Sequence, residues 1–197
     1  MQLIFYKILQ ISIIILFGVL VSDLRKKNIT KRLLDQKLLI IMKLSYLAPL
    51  IIFLVSVITN KKILITDVFA LVITLIGLMV VADAKFNLGK NHSWTGYGTF
   101  PENFCTKGSF SLMQHPMYTG IIICIIGMVL HVSFHVSWPW LLLNLVSSLF
   151  IIYILISSAK KENEHLQELF GDDYKNYADQ IHPFLPIRRY KARSILD

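Results

Sequence analysis

Gln114-His115-Pro116-Met117-Tyr118-Thr119-Gly120 places a histidine, a proline and a tyrosine directly before the apolar run IIICIIGMVL. A carboxylate, Glu162, follows a later apolar run, and Tyr174 and Tyr177 lie beyond it at one-turn spacing. One imidazole, one carboxylate and several aromatic rings beside an apolar slot suit a ligand that is cationic and partly apolar. Aromatic faces attract a cation such as a sulfonium, and a carboxylate pairs with an amino group. Pro116 is also a natural first-turn residue for the following helix, so a plain helix anchor is the competing reading.

Other groupings point elsewhere. His131 and His135 have the i, i+4 spacing of a helical metal-ligand pair. They fall in a turn with no carboxylate nearby, which predicts interfacial polar residues. Glu162-x-x-His165 matches half of a carboxylate-bridged two-metal pattern. That pattern needs a second copy and further glutamates on other helices, so no metal is expected. Gly96-Tyr97-Gly98 lacks the strand and the Lys-bearing helix of a phosphate loop and reads as a flexible connector. Cys105 and Cys124, one in a polar loop and one in an apolar run, are expected to remain unpaired.

Hydropathy sets the elements that must position these residues. Of 197 residues, 55% are hydrophobic and only 16% are charged, whereas a soluble domain carries about a quarter charged; the mean hydropathy is +0.60. Apolar runs at 3–22, 38–58, 64–82, 118–134 and 138–158 predict membrane-crossing helices. Crossing the hydrocarbon takes roughly 20 residues, so the fourth run is the short one; with the fifth it forms a helical hairpin turned at 131–139. The first run lacks a basic lead and a small-residue cleavage pattern, so a retained span is expected. The expected fold class is all-α, a polytopic membrane helical bundle of about five transmembrane helices with a cytoplasmic loop and a C-terminal helical tail. It forms one domain over 1–197: three spans in 1–82, a loop in 83–117, the hairpin in 118–158 and the tail in 159–197. Within the tail, AKKENEHLQELFG is rich in helix formers, and Gly171 is placed to end that helix before a second one at 172–181.

The formal net charge is +8, and its placement carries the information. Arg25, Lys26, Lys27, Lys31, Arg32 and Lys37 lie between the first two runs, and a second basic group ends the tail, while the 131–139 turn has no Lys or Arg. Positive residues favour the cytoplasmic side, which puts the amino terminus outside and the three polar segments, 23–37, 83–117 and 159–197, in the cytoplasm. The basic excess then serves topology and anionic headgroups. Nucleic acid is not expected as a partner, because aromatics for base stacking are not interleaved with the basic clusters. Lys43 and Asp67, near span ends, are expected to snorkel. Transporters place ionisable groups near the midplane; these runs are nearly all aliphatic, so the work is expected at the cytoplasmic interface.

The segment TKGSFSLMQHPMYTG at 106–120 resembles the T-x-G-x-Y-x-x-x-R-H-P-x-Y-x-G signature of integral-membrane methyltransferases. That group includes isoprenylcysteine carboxyl methyltransferases and bacterial phospholipid N-methyltransferases. ENEHLQELFGDDYKNYADQIHPFLP at 162–186 is similar to its second signature, and LGKNHSW at 88–94 resembles the opening of its loop. The resemblance covers roughly the second half of the chain in the right order. It implies S-adenosylmethionine bound between the cytoplasmic loops and the last two spans. His115, Tyr118, Glu162, Asn163, Tyr174 and Tyr177 take the cofactor-binding positions, with His115 and Glu162 as the catalytic candidates. Gln114 stands where the family has Arg, and Asn163 where it has a second Glu. Glutamine cannot supply a guanidinium fork, so Gln114, as a substrate-binding position, implies a weakened grip on a carboxylate; Arg188 or Arg189 would have to substitute.

The implied activity is S-adenosylmethionine-dependent methyl transfer to a membrane-embedded or lipophilic acceptor, isoprenylcysteine-carboxyl-methyltransferase-like. An aminophospholipid or a small thiol is the alternative acceptor. A carboxylate needs no base, whereas an amine must first lose a proton to His115 or Glu162. The non-enzyme alternative is a membrane scaffold or assembly protein, which would bind no cofactor. A nicotinamide-dependent reductase would need more phosphate-binding cations than Lys85, Lys90 and Lys107 in the 83–117 loop.

Overall fold

The apolar runs fold as helices because a backbone in lipid must satisfy its own N–H and C=O groups. The computed structural model describes residues 1–22 and 31–187. Among these the helices are α1 (Gln2–Val21), α2 (Gln36–Ser45), α3 (Leu47–Thr59), α4 (Ile65–Leu88), α5 (Pro116–Val132) and α6 (Trp138–Gln180). α1, the α2–α3 stretch, α4 and α6 are each long and apolar enough to cross a membrane. The α2–α3 stretch is interrupted at Tyr46, where Pro49 has no N–H to offer the Ser45 carbonyl. α5 has 17 residues, about 26 Å of helix, slightly less than the ~30 Å hydrocarbon core. Ile4, Phe5, Phe69 and Leu149 point outward and exposed, as side chains solvated by lipid do. The result is the all-α membrane bundle that hydropathy predicts.

Small residues bring α4 and α5 into backbone contact. A Cβ on Gly77 would lie 2.7 Å from Cys124 N and from Gly120 O, and one on Gly127 would lie 2.8 Å from Ala70 O. In lipid, where burial of apolar surface gives little drive between helices, such a seam gains close dispersion contact. α6 closes over it, with Ile151, Leu155 and Ala159 packed into the same core as Leu78, Val81 and Ile121.

The polar segments depart from expectation in two places. α4 continues to Leu88, so the loop starts at Gly89, and Asp83 Oδ2 accepts from Ser109 N at 2.7 Å to fold the loop's far end back onto the helix. Gly96–Gly98 is a paired segment instead of a flexible connector: strand β1 (Lys31–Arg32) pairs antiparallel with β2 (Tyr97–Gly98). Glycine is required there, because Gly96 has φ +80° and a Cβ on Gly98 would strike His165 at 2.4 Å. The tail bends at Gly171 as expected, with φ 55 and ψ −129, a conformation costly for any residue with a Cβ.

Asp67 and the two turn histidines also need correction. Asp67 does not snorkel; it is 0% exposed, with Oδ1 at 2.9 Å from His131 Nδ1 and 2.8 Å from His135 Nε2. His131 belongs to α5 and is fully buried, so neither histidine is a plain interfacial residue. The carboxylate that draws them inward comes from the first turn of α4.

Replacing Gly120 with Leu should force α4 and α5 apart and cost at least about 2 kcal/mol, read as a lower Tm of the detergent-solubilised protein. Gly18→Leu, where a Cβ meets nothing within 4 Å, should shift stability by no more than about 0.5 kcal/mol. Equal shifts in the two variants would show that the seam is not the constraint.

Candidate active site

Where α4 ends, α5 begins and α6 leaves the bundle, a cavity of about 120 Å³ lies between loop and helices. One water needs roughly 10–15 Å³ by the same measure, so this space is on the scale of a ligand and not a packing defect. Tyr97, Phe104 and Phe110 line it from the loop, His115 and Tyr118 from α5, and Glu162, His165, Tyr174 and Tyr177 from α6. Among the described residues lining it, Glu162 is the single carboxylate and there is no Lys or Arg.

The hydrogen bonds at its base run in one forced direction. Gln114 Nε2 donates to the carbonyls of Ala178 at 2.9 Å and Ile181 at 2.5 Å. Carbonyls only accept, so the amide nitrogen must face them, and Gln114 Oε1 then faces Asn163 Nδ2 at 2.8 Å. Asn163 Oδ1 is left to accept from Tyr174 Oη and from His115 Nε2, the latter at 2.8 Å. His115 Nε2 is thereby fixed as a donor, and its Nδ1 lies 3.6 Å from Glu162 Oε2. The other Glu162 oxygen accepts from the Tyr118 hydroxyl.

Aromatic side chains wall the remainder. The Phe104 ring lies 5.3 Å from Tyr174 and 5.5 Å from Tyr177, centroid to centroid, and His115 stacks on Tyr118 at 5.8 Å. Tyr177 donates to the Phe110 carbonyl at 2.7 Å. Tyr174 and Tyr177 lie on the part of α6 beyond the apolar stretch, and burial pushes both hydroxyls well above the usual tyrosine range. Both therefore stay protonated as donors. His165 Nε2 donates to Thr99 O at 2.9 Å, while its Nδ1 is buried without a partner. The segment after α6 returns along the start of α5, where Gln114 N donates to His182 O and His115 N to Pro183 O.

His115, Tyr118, Glu162, Asn163, Tyr174 and Tyr177, far apart in sequence, thus meet in one place. Gln114 also lines the cavity, but both of its N–H groups are spent on the tail, so its role here is to hold the returning chain. Arg188 and Arg189 lie outside the described residues. His165, Phe104 and Phe110 are wall residues that spacing did not single out as site residues. The Glu162-x-x-His165 spacing was the available signal for His165, since it puts both on one helical face. The two departures from the family signature, Gln114 and Asn163, prove to be bonded to each other. Where the family has an Arg and a Glu, this chain has two neutral amides, so charge balance is kept.

The forced direction is testable with an isosteric change. Gln114→Glu turns a donor toward two carbonyls into a carboxylate facing them, and should cost about 3 kcal/mol or more. The expected readout is a lower Tm together with faster proteolysis beyond Gly171. Unchanged stability would mean that the amide points the other way.

A family model described as phospholipid methyltransferase matches residues 65–173, more than half of the chain. Comparison with curated proteins gives no match. The matched stretch begins with α4, contains the glycine seam, the whole cavity loop, His115, Tyr118, Glu162 and Asn163, and ends just past the Gly171 bend. With that match over these elements, this helical membrane protein belongs to the phospholipid methyltransferase family.

Proposed function

We propose that the protein transfers a methyl group from S-adenosylmethionine to a lipid-like acceptor, with an amine headgroup favoured over a carboxylate. The charge of the cavity carries this reading: among the described residues lining it, one carboxylate, aromatic walls and no Lys or Arg favour a sulfonium cation over an anion. The donor set fits such a cofactor. Glu162 is placed to pair with its amino group, the rings of Tyr118, Phe104 and Tyr174 suit the cation, and His165 Nδ1 is a buried polar atom without a protein partner. When bound, the cofactor supplies a methyl group already activated by its positive sulfur.

The chain's own residues then have three tasks: to orient the acceptor, to exclude water and to manage its proton. Asn163 holds His115 in the tautomer whose Nδ1 can take a proton, and Glu162 at 3.6 Å stabilises the imidazolium that results. An ammonium acceptor uses that arrangement; a carboxylate does not. With both Gln114 N–H groups committed elsewhere, the described residues offer no fork for an isoprenylcysteine-type carboxylate, which makes it the second reading. The basic segment before α2 and the basic tail support a cytoplasmic site, with the acceptor entering from the bilayer between α5 and α6.

Two variants separate these roles. Glu162→Ala should weaken cofactor binding at least ~100-fold while the protein still inserts and folds, as measured by calorimetry in detergent; unchanged affinity sinks the assignment. His115→Gln should leave cofactor affinity within a few-fold yet lower turnover on an amine acceptor about 100-fold. Membranes given methyl-labelled cofactor should place base-stable label in phospholipid, whereas base-labile label would select the carboxyl ester.

A further inference from the structure

A second cluster of polar chemistry sits at the opposite end of the same helix pair. Sixteen residues of α5, about 24 Å of rise, separate His131 from His115 at the cavity. There Asp67, His131 and His135 bring one ligand atom each to within 4.8 Å of one another. Asp67 Oδ1 is bracketed by His131 Nδ1 at 2.9 Å and His135 Nε2 at 2.8 Å. Asp67 and His131 are fully buried.

We propose that these three side chains form a site for a divalent transition metal of the Zn²⁺ class, unrelated to the methyl-transfer cavity. The donor set is two imidazoles and one carboxylate, a combination that suits zinc and its neighbours and not Mg²⁺ or Ca²⁺, which take oxygen shells. Histidines four apart present both rings on one helical face, and the chain stays helix-like past Val132, with His135 N donating to Val132 O at 3.0 Å. Donors around a tetrahedral zinc lie about 3.3 Å apart, so each nitrogen–oxygen pair needs to open by only about half an ångström. Asp67 is also oriented from behind: Oδ2 accepts from Leu64 N at 2.8 Å, leaving Oδ1 for the site. A fourth oxygen donor is at hand in Tyr6, whose hydroxyl lies 3.4 Å from His131 Nδ1 and accepts from Gln10 at 2.6 Å.

Electrostatics supplies an independent reason. Asp67 is a carboxylate at 0% exposure whose side-chain partners are the Leu64 N–H and two imidazoles. None of these partners is a Lys or Arg, and a divalent cation between the carboxylate and the rings would supply a fixed positive charge there. The ion would join α4 to α5 and the following turn, and through Tyr6 reach α1. Its role is that of a structural staple on the short helix α5.

The test uses the full-length protein carrying a tag without histidines, purified in detergent, stripped with a chelator and dialysed against Zn²⁺ or Co²⁺. Elemental analysis should find about one ion retained per chain, and Co²⁺ should give the intense visible bands of a tetrahedral nitrogen–oxygen site. Asp67→Asn and His135→Ala should each weaken retention at least ~10-fold, and added Zn²⁺ should raise the Tm of the wild type but not of these variants. His135 lies near the helix end, so His135→Ala is the variant chosen to keep the fold, checked by circular dichroism. Wild-type protein that retains no ion overturns the proposal whatever the variants do, as does retention unchanged in both. Neither result bears on cofactor binding at Glu162.

Discussion

Backbone contact between α4 and α5 is the constraint on which both ends of the molecule depend. Gly77, Gly120 and Gly127 let the two helices touch without intervening side chains. Two rods in contact along their length have little freedom to slide or rotate, since any shift drives a Cβ into a carbonyl. At one end this sets His115 and Tyr118 against the loop that leaves α4. At the other it sets Asp67, in the first turn of α4, against His131, in the last turn of α5. The shortness of α5 follows: it is matched to the distance between those two ends and is braced by α4 instead of by its own passage through the lipid.

The cavity needs a second device, because its carboxylate and amide come from α6, which meets the α4–α5 pair only along part of its length. α6 runs beyond the membrane, carries Glu162 and Asn163 past the start of α5, and bends at Gly171 so that Tyr174 and Tyr177 turn back over the same place. Asn163 is the junction. It accepts from an imidazole and a phenol and donates to Gln114, which in turn donates to the chain returning after the helix. Both side-chain amides in this network are bonded through oxygen and nitrogen alike, which is what a buried polar network requires if it is to fix one arrangement.

Much of this was legible in the sequence, for identifiable reasons. Hydropathy is a property of a continuous segment, so the apolar helices could be read directly, though not the polar extension of α4 to Leu88 or the break at Tyr46; the Gly171 bend was legible too, since a glycine after a run of helix formers is a local signal. His115, Tyr118 and Glu162 were recoverable because a signature preserves order. What escaped were pairings between distant positions with no local trace. Asp67 and His131 are 64 residues apart, and nothing in the spacing of two histidines names the carboxylate between them. Gly96-Tyr97-Gly98 read as slack because the strand that pairs with it lies before α2. Gln114 read as a lost contact with substrate because its actual partners, the carbonyls of Ala178 and Ile181, are backbone atoms that no side-chain pattern advertises.

Two neutral amides at 114 and 163 affect what the cavity can hold. An Arg at position 114 with a Glu at 163 would place opposite charges near the Glu162 carboxylate, and the guanidinium would offset part of its field. With Gln114 and Asn163 both neutral, Glu162 acts alone in a space lined by aromatic rings, where the effective dielectric is well below that of water and its potential is correspondingly larger. A cation entering that space gains from the same carboxylate twice, by direct pairing and through the Tyr118 hydroxyl polarised by it. An anion meets the opposite: a repulsive carboxylate and, among the described residues lining the cavity, no Lys or Arg. His115 Nδ1 faces the same carboxylate, 3.6 Å from Glu162 Oε2.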